Sequence, residues 1–166
     1  RERIGRFGWK SQQATLLELR VESHIAAGAL DLADADARAM HALARRSQAL
    51  HARACNCESQ VAARRGDANA AVDAATAALA TARRSRDPAL EGLSLLRLAD
   101  AQYRTFDGHQ AALDHATRAA AIFERLGDRA RQGQARCVQG FAYSRQSRVT
   151  ESREAAGEAL ALAQAC

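Results

Sequence analysis

Four cysteines, five histidines and a short acidic run are the residues of this chain whose types could do chemistry. Thiolates and imidazoles hold transition metals or act as nucleophile and base, and clustered carboxylates hold hard cations. The cysteines are Cys55, Cys57, Cys137 and Cys166. Cys55 and Cys57 stand two apart in a helical pattern, so their side chains point to different faces. Their spacing matches no common zinc arrangement, and no histidine is expected to complete one. Free, mostly buried thiols in a reducing cytosol are expected instead. His24, His41, His51, His109 and His115 are dispersed along the chain. His109 and His115 miss the i, i+4 spacing that converges on a metal, so surface or capping roles are expected. Asp31, Asp34 and Asp36 gather at a helix start, where carboxylates offset the helix dipole in a solvated first turn. No glycine-rich phosphate loop, nucleophile elbow or carboxylate pair is visible. These residues predict no catalytic site, no metal and no cofactor.

The elements that would position them are helices. The chain has 166 residues, 48% of them hydrophobic but only 4% aromatic, because alanine supplies most of the apolar count. Alanine is the best helix former and a poor strand residue, so an all-α protein is expected. The single proline, at Asp87-Pro88, stops one helix and starts the next. Gly66-Asp67, Asp107-Gly108 and Gly127-Asp128 mark further turns. Between the marks, apolar residues recur at helical spacing, as at Leu113, Ala116, Ala120 and Phe123. Eight helices in four pairs are predicted: 11–27 with 30–47, 49–65 with 68–86, 88–105 with 109–126, and 129–146 with 150–165. Residues 1–10 read as an extension or linker.

The pairs echo one another. Residues 73–87, DAATAALATARRSRD, match 114–128, DHATRAAAIFERLGD, at Asp73/Asp114, Ala75/Ala116, Thr76/Thr117, Ala78/Ala119, Ala80/Ala121, Arg84/Arg125 and Asp87/Asp128. ARRSQAL at 44–50 returns as ARRSRDPAL at 82–90, and Tyr103 is echoed by Tyr143. A fixed period of this kind marks a repeat array, in which one pair cannot bury its apolar stripe alone and neighbours stack. A short A helix, a glycine turn and a B helix with small residues seven apart resembles the tetratricopeptide repeat. The B-helix pairs are Ala71/Ala78, Ala112/Ala119 and Ser152/Ala159; the matching A-helix positions are Ser59, Ala99 and Gly140. The likeness covers 49–166 well and 11–48 loosely, with a longer period than usual and little of the signature Trp and Pro. It implies a right-handed α-solenoid of about four antiparallel helix pairs.

In such arrays the A helices line a concave face that holds peptides. Carried onto this chain, that face comprises Arg53, Asn56, Gln60 and Arg64, then Arg97, Asp100 and Arg104, then Gln134, Phe141 and Arg145. Its arginines suit acidic side chains or a terminal carboxylate. The formal charge is +5, carried almost wholly by arginines that are scattered and interleaved with acids. That pattern looks like codon bias in a GC-rich bacterial genome and argues against a nucleic-acid surface, which gathers basic residues into one patch with aromatics. No membrane span or signal peptide is visible, so a cytoplasmic protein without membrane contact is expected. The chain opens on Arg1, and Leu126 aligns with Cys166, so a piece of a longer protein is expected. The longer repeats resemble those of bacterial signalling proteins attached to DNA-binding or diguanylate cyclase output domains. The expected function is a non-enzymatic protein-interaction or regulatory scaffold, with a small-molecule sensor as the alternative. An apolar last helix leaves room for a homodimer through the array end.

Overall fold

Short capped turns divide the chain into eight helices. The computed structural model describes the backbone of residues 2–165 and the side chains of residues 9–165. The helices are α1 (Glu2–Ala26), α2 (Leu30–Leu43), α3 (Gln48–Arg65), α4 (Ala68–Ser85), α5 (Pro88–Gln102), α6 (His109–Leu126), α7 (Arg129–Arg145) and α8 (Val149–Gln164). No strand occurs among the described residues, and none of the helices is long and apolar enough to cross a membrane. The expected all-α class therefore holds, with eight helices that pack in sequence within each of two compact units.

The repeated handover residues are helix caps. Ser47 accepts from the Leu50 N–H at 3.3 Å, Asp87 from the Leu90 N–H at 3.1 Å, and Asp128 from the Arg131 N–H at 3.0 Å. Each satisfies one of the amide donors that a helix start leaves without an intrahelical acceptor. Gly66 and Gly127 close α3 and α6 in the left-handed conformation, at φ 83° and 69°. The amides after them reach back to Ala62 and Phe123 carbonyls at 3.0 and 2.9 Å, which completes the helix-ending motif. Arg86 and Ser147 take the same conformation without glycine, at φ 57° and 59°.

Two boundaries differ from the sequence reading. Helix α1 starts at Glu2, where residues 1–10 were expected to be an extension, because no stop signal separates that stretch from residue 11. Helix α2 ends at Leu43 rather than 47, since residues 44–47 form the turn that lets Ser47 cap α3.

The helices pack into two compact units, Arg1–Ser85 and Arg86–Cys166. Within each unit the order is the same. The first helix meets the second and third, the second meets the third, and the third meets the fourth. In the first unit α1, α2 and α3 enclose a core of Val21, Ala33, Ala37, Met40, Leu50, Ala54 and Val61. In the second, Leu95, Leu96 and Phe123 are fully buried, as are Ala99 and Ala116, and Ala112, Leu113 and Ala142 form one cluster. Alanine-rich faces permit close helix approach, and both units use it.

The sequence echo has this packing as its cause. Ala75, Ala78, Ala116 and Ala119 have no solvent exposure, while the equally repeated Asp73/Asp114 and Thr76/Thr117 lie on the outside. The small residues assigned to helix crossings also meet there. The Ser59 hydroxyl donates to the Ala71 carbonyl at 2.8 Å, and the Ser152 hydroxyl to the Gly140 carbonyl at 2.9 Å. Gly92 marks the tightest approach, since a Cβ there would stand 2.9 Å from Ile122 Cγ2 and 3.1 Å from the Phe123 ring.

Candidate functional site

The residues expected to form a binding face fall into two kinds. On α3, packing takes up half of them. Arg53 is held by Glu18 of α1, with Nε and Nη2 at 2.7 and 2.5 Å from the two carboxylate oxygens, and it also donates to Thr15 at 2.8 Å. Hydrogen bonding to Glu18 raises the guanidinium pKa above its ordinary value, against the opposing effect of burial. Asn56 is 2% exposed and Gln60 half-buried, so of these four assigned α3 residues only Arg64 is fully presented to solvent. The expectation that Arg53 and Asn56 line an open face is therefore corrected. Helix α3 packs on α1, α2 and α4 together, and a helix with three neighbours has little surface to spare.

In the second unit three of the assigned residues, Asp100, Arg104 and Phe141, gather around Tyr103. The Phe141 ring on α7 stacks on Tyr103, just past the end of α5, with centroids 5.5 Å apart and planes 22° from parallel. The Arg104 guanidinium lies 4.7 Å over the same tyrosine and pairs with Asp100 at 3.3 Å. Phe141 remains 54% exposed. Arg145 and Gln134 are exposed on α7, and Arg97 is half-buried on α5. Along Phe141 runs an open groove of about 480 Å3 between α7 and α8, with Cys137, Gly140 and Ser144 on one side and Ser152, Ala156 and Leu160 on the other. Helix α7 carries four arginines, Arg129, Arg131, Arg136 and Arg145, and no acid. Three of these are engaged, Arg131 with Asp128 at 2.8 Å, Arg136 with Glu158 at 2.9 Å and Arg129 with the Ala165 carbonyl at 3.4 Å. Tyr103 is the residue missed here. Its recurrence at Tyr143, which carries Arg148 over its ring at 4.5 Å, was the available signal.

The acidic run also departs from expectation. Asp31 is exposed in the first turn of α2 and meets Arg65 at 2.7 Å, and Asp34 meets Arg38 at 3.0 Å. Asp36, however, is buried and faces α1, where Arg20 lies at 3.1 Å and His24 at 3.5 Å. Its place two turns into α2 turns it inward, so it serves as a buried ion-pair partner and not as a solvated dipole group.

The histidines are less dispersed in space than in sequence. His41 in the last turn of α2 and His51 in α3 face each other as edge-to-face rings, 5.5 Å between centroids. His51 Nδ1 lies 3.3 Å from the Cys55 sulfur, and His41 Nε2 lies 3.2 Å from the Glu58 carboxylate. Donor atoms of His41, His51 and Cys55 all fall within 4.8 Å of one another. The expectation that no histidine joins Cys55 is thus corrected. His51 and Cys55 are i and i+4 on one helix, which puts them on one face, and the α2–α3 turn adds His41. The first part was legible in the spacing, the second was not. Cys55 is buried, and burial first, then the Glu58 carboxylate, pushes its thiol up to about 11. A thiol so held is neutral near pH 7 and a poor nucleophile.

Cys57 is also buried and Cys137 is exposed, while Cys166 lies outside the described residues. Comparison with known protein families and with curated proteins gives no match to this chain.

Proposed function

We propose that the chain is a non-catalytic interaction module, built of tetratricopeptide-like helix pairs, that binds an acidic peptide segment through its second unit. The observation that carries this reading is the Tyr103–Phe141 stack with Arg104 over it, beside the groove of α7 and α8. Half-exposed aromatics with a fixed guanidinium are what a carboxylate-bearing peptide with an apolar anchor needs. The acid-free α7 adds charge complementarity. The groove lies open to solvent, which favours a chain segment over a small molecule enclosed in a cavity. By the same resemblance the module would regulate an attached output domain of a bacterial cytoplasmic signalling protein.

The test is selection of peptides from a random display library against the full chain. Enrichment of Asp or Glu around an aromatic or aliphatic anchor is expected. Phe141→Ala, and separately Arg104→Glu with Arg145→Glu, should then weaken the selected peptide at least tenfold while helical circular dichroism is unchanged. Binding indifferent to both variants would sink the reading.

A further inference from the structure

We propose that His41, His51, Cys55 and Glu58 form a binding site for a zinc-class divalent cation at the α2–α3 junction. The site stands apart from the peptide-binding reading and does not depend on it.

The geometry is that of donors already gathered. Around one tetrahedral zinc-class ion, bonds of about 2.0–2.1 Å to nitrogen or oxygen and about 2.3 Å to sulfur put neighbouring donors roughly 3.3–3.6 Å apart. The pair His51 Nδ1 and Cys55 Sγ stands at 3.3 Å, and the pair His41 Nε2 and Glu58 Oε2 at 3.2 Å. Each pair is thus within about 0.3 Å of one edge of such a tetrahedron. The two pairs adjoin, since the His41, His51 and Cys55 donors lie within 4.8 Å of one another. Closing His41, His51 and Cys55 on one ion asks for about an ångström of side-chain movement, which exposed His51 can supply. Glu58, outside that group but beside His41, must swing further on a side chain that is 55% exposed.

The helical frame holds the set. His51, Cys55 and Glu58 recur at i, i+4 and i+7, one stripe of α3. His41 comes from the last turn of α2, joined to α3 by the short turn that Ser47 caps. Two imidazoles, a thiol and a carboxylate select a borderline ion such as Zn2+ over Mg2+ or Ca2+, which prefer all-oxygen sites. With Cys55 buried and His51 exposed, the set opens to solvent on one side, which leaves an entry path. A bound ion would clamp the end of α2 to the start of α3.

The experiment is titration of the full chain, stripped of metal with a chelator and dialysed, with CoCl2 alone. One equivalent should produce a sulfur-to-cobalt charge-transfer band in the near ultraviolet and the visible bands of four-coordinate Co2+, both displaced by ZnCl2. Cys55→Ser should abolish the charge-transfer band, while Cys137→Ser should leave it intact. Should Cys55→Ser fail to fold, His41→Gln and His51→Gln change only accessible side chains. Each should weaken Co2+ binding tenfold or more with helicity unchanged. Absence of a thiolate band at one equivalent, its survival in Cys55→Ser, or full affinity in both histidine variants would overturn the site.

Discussion

Replacing glycine by alanine should have opposite consequences at two helical positions of the second unit. In a helix interior the change is worth about 0.8–1.0 kcal/mol in favour of alanine, through backbone entropy. Gly157, in the middle of α8, has nothing within 4 Å of an added Cβ, so Gly157→Ala should realise that whole gain. Gly92 carries the same propensity term, but its added methyl would stand 2.9 Å from Ile122 Cγ2 and 3.1 Å from Phe123 Cζ. Carbon pairs are at ease at about 3.5–4.0 Å, so several tenths of an ångström must be found. The Phe123 ring has no solvent exposure and Ile122 only 8%, so neither can swing outward. Overpacking of this kind costs about 1–3 kcal/mol. Gly92→Ala should therefore end between neutral and about 2 kcal/mol destabilised. The two variants should differ by about 1–3 kcal/mol, the contact term isolated from propensity. Urea unfolding followed at 222 nm, with a thermal melt beside it, reads the difference. For a chain of this length it amounts to roughly 2–4 °C in Tm per kcal/mol. If Gly92→Ala stabilises the protein as much as Gly157→Ala does, α5 and α6 are not in the close approach described here.

Three further outcomes are expected. Ala116→Leu, at a position without solvent exposure, should cost about 1–3 kcal/mol; an unchanged Tm would show that this face is not at a helix crossing. A double-mutant cycle on Arg53 and Glu18, whose side chains are 18% and 26% exposed, should give a coupling of about 1–2 kcal/mol that shrinks in high salt; zero coupling would reduce the pair to a surface contact. With chelator present, alkylation mapped by mass spectrometry should label Cys137 at pH 8 and reach Cys55 only near pH 11 or on unfolding. The fold favours the neutral Cys55 thiol, so its contribution to stability is whole below pH 9.0 and fades as pH climbs through about 11. Rapid labelling of Cys55 at pH 8 would contradict its burial.

Much of this protein's organisation was written in local sequence. Helices, turns and caps depend on residues within a few positions of one another, so alanine content, Gly-Asp pairs and the capping Ser47, Asp87 and Asp128 could be read directly. The small residues at helix crossings were legible for a related reason. Repetition exposes a packing constraint, and Ala75, Ala78, Ala116 and Ala119 recur because each must fit against a neighbouring helix.

Tertiary structure decided what spacing could not carry. Arg53 and Asn56 sit at positions that suit an open stripe, yet α1, α2 and α4 close around α3 and engage them. The division at Ser85 is likewise a matter of which helices meet. Phe141 finds Tyr103, and His41 finds His51 and Glu58, only because turns bring separate helices side by side. Sequence alone thus determined the helices and their small-residue seams, since both arise from short-range hydrogen bonding and volume. Which polar groups share one site was settled by the packing of those helices, which sets distances between residues far apart along the chain.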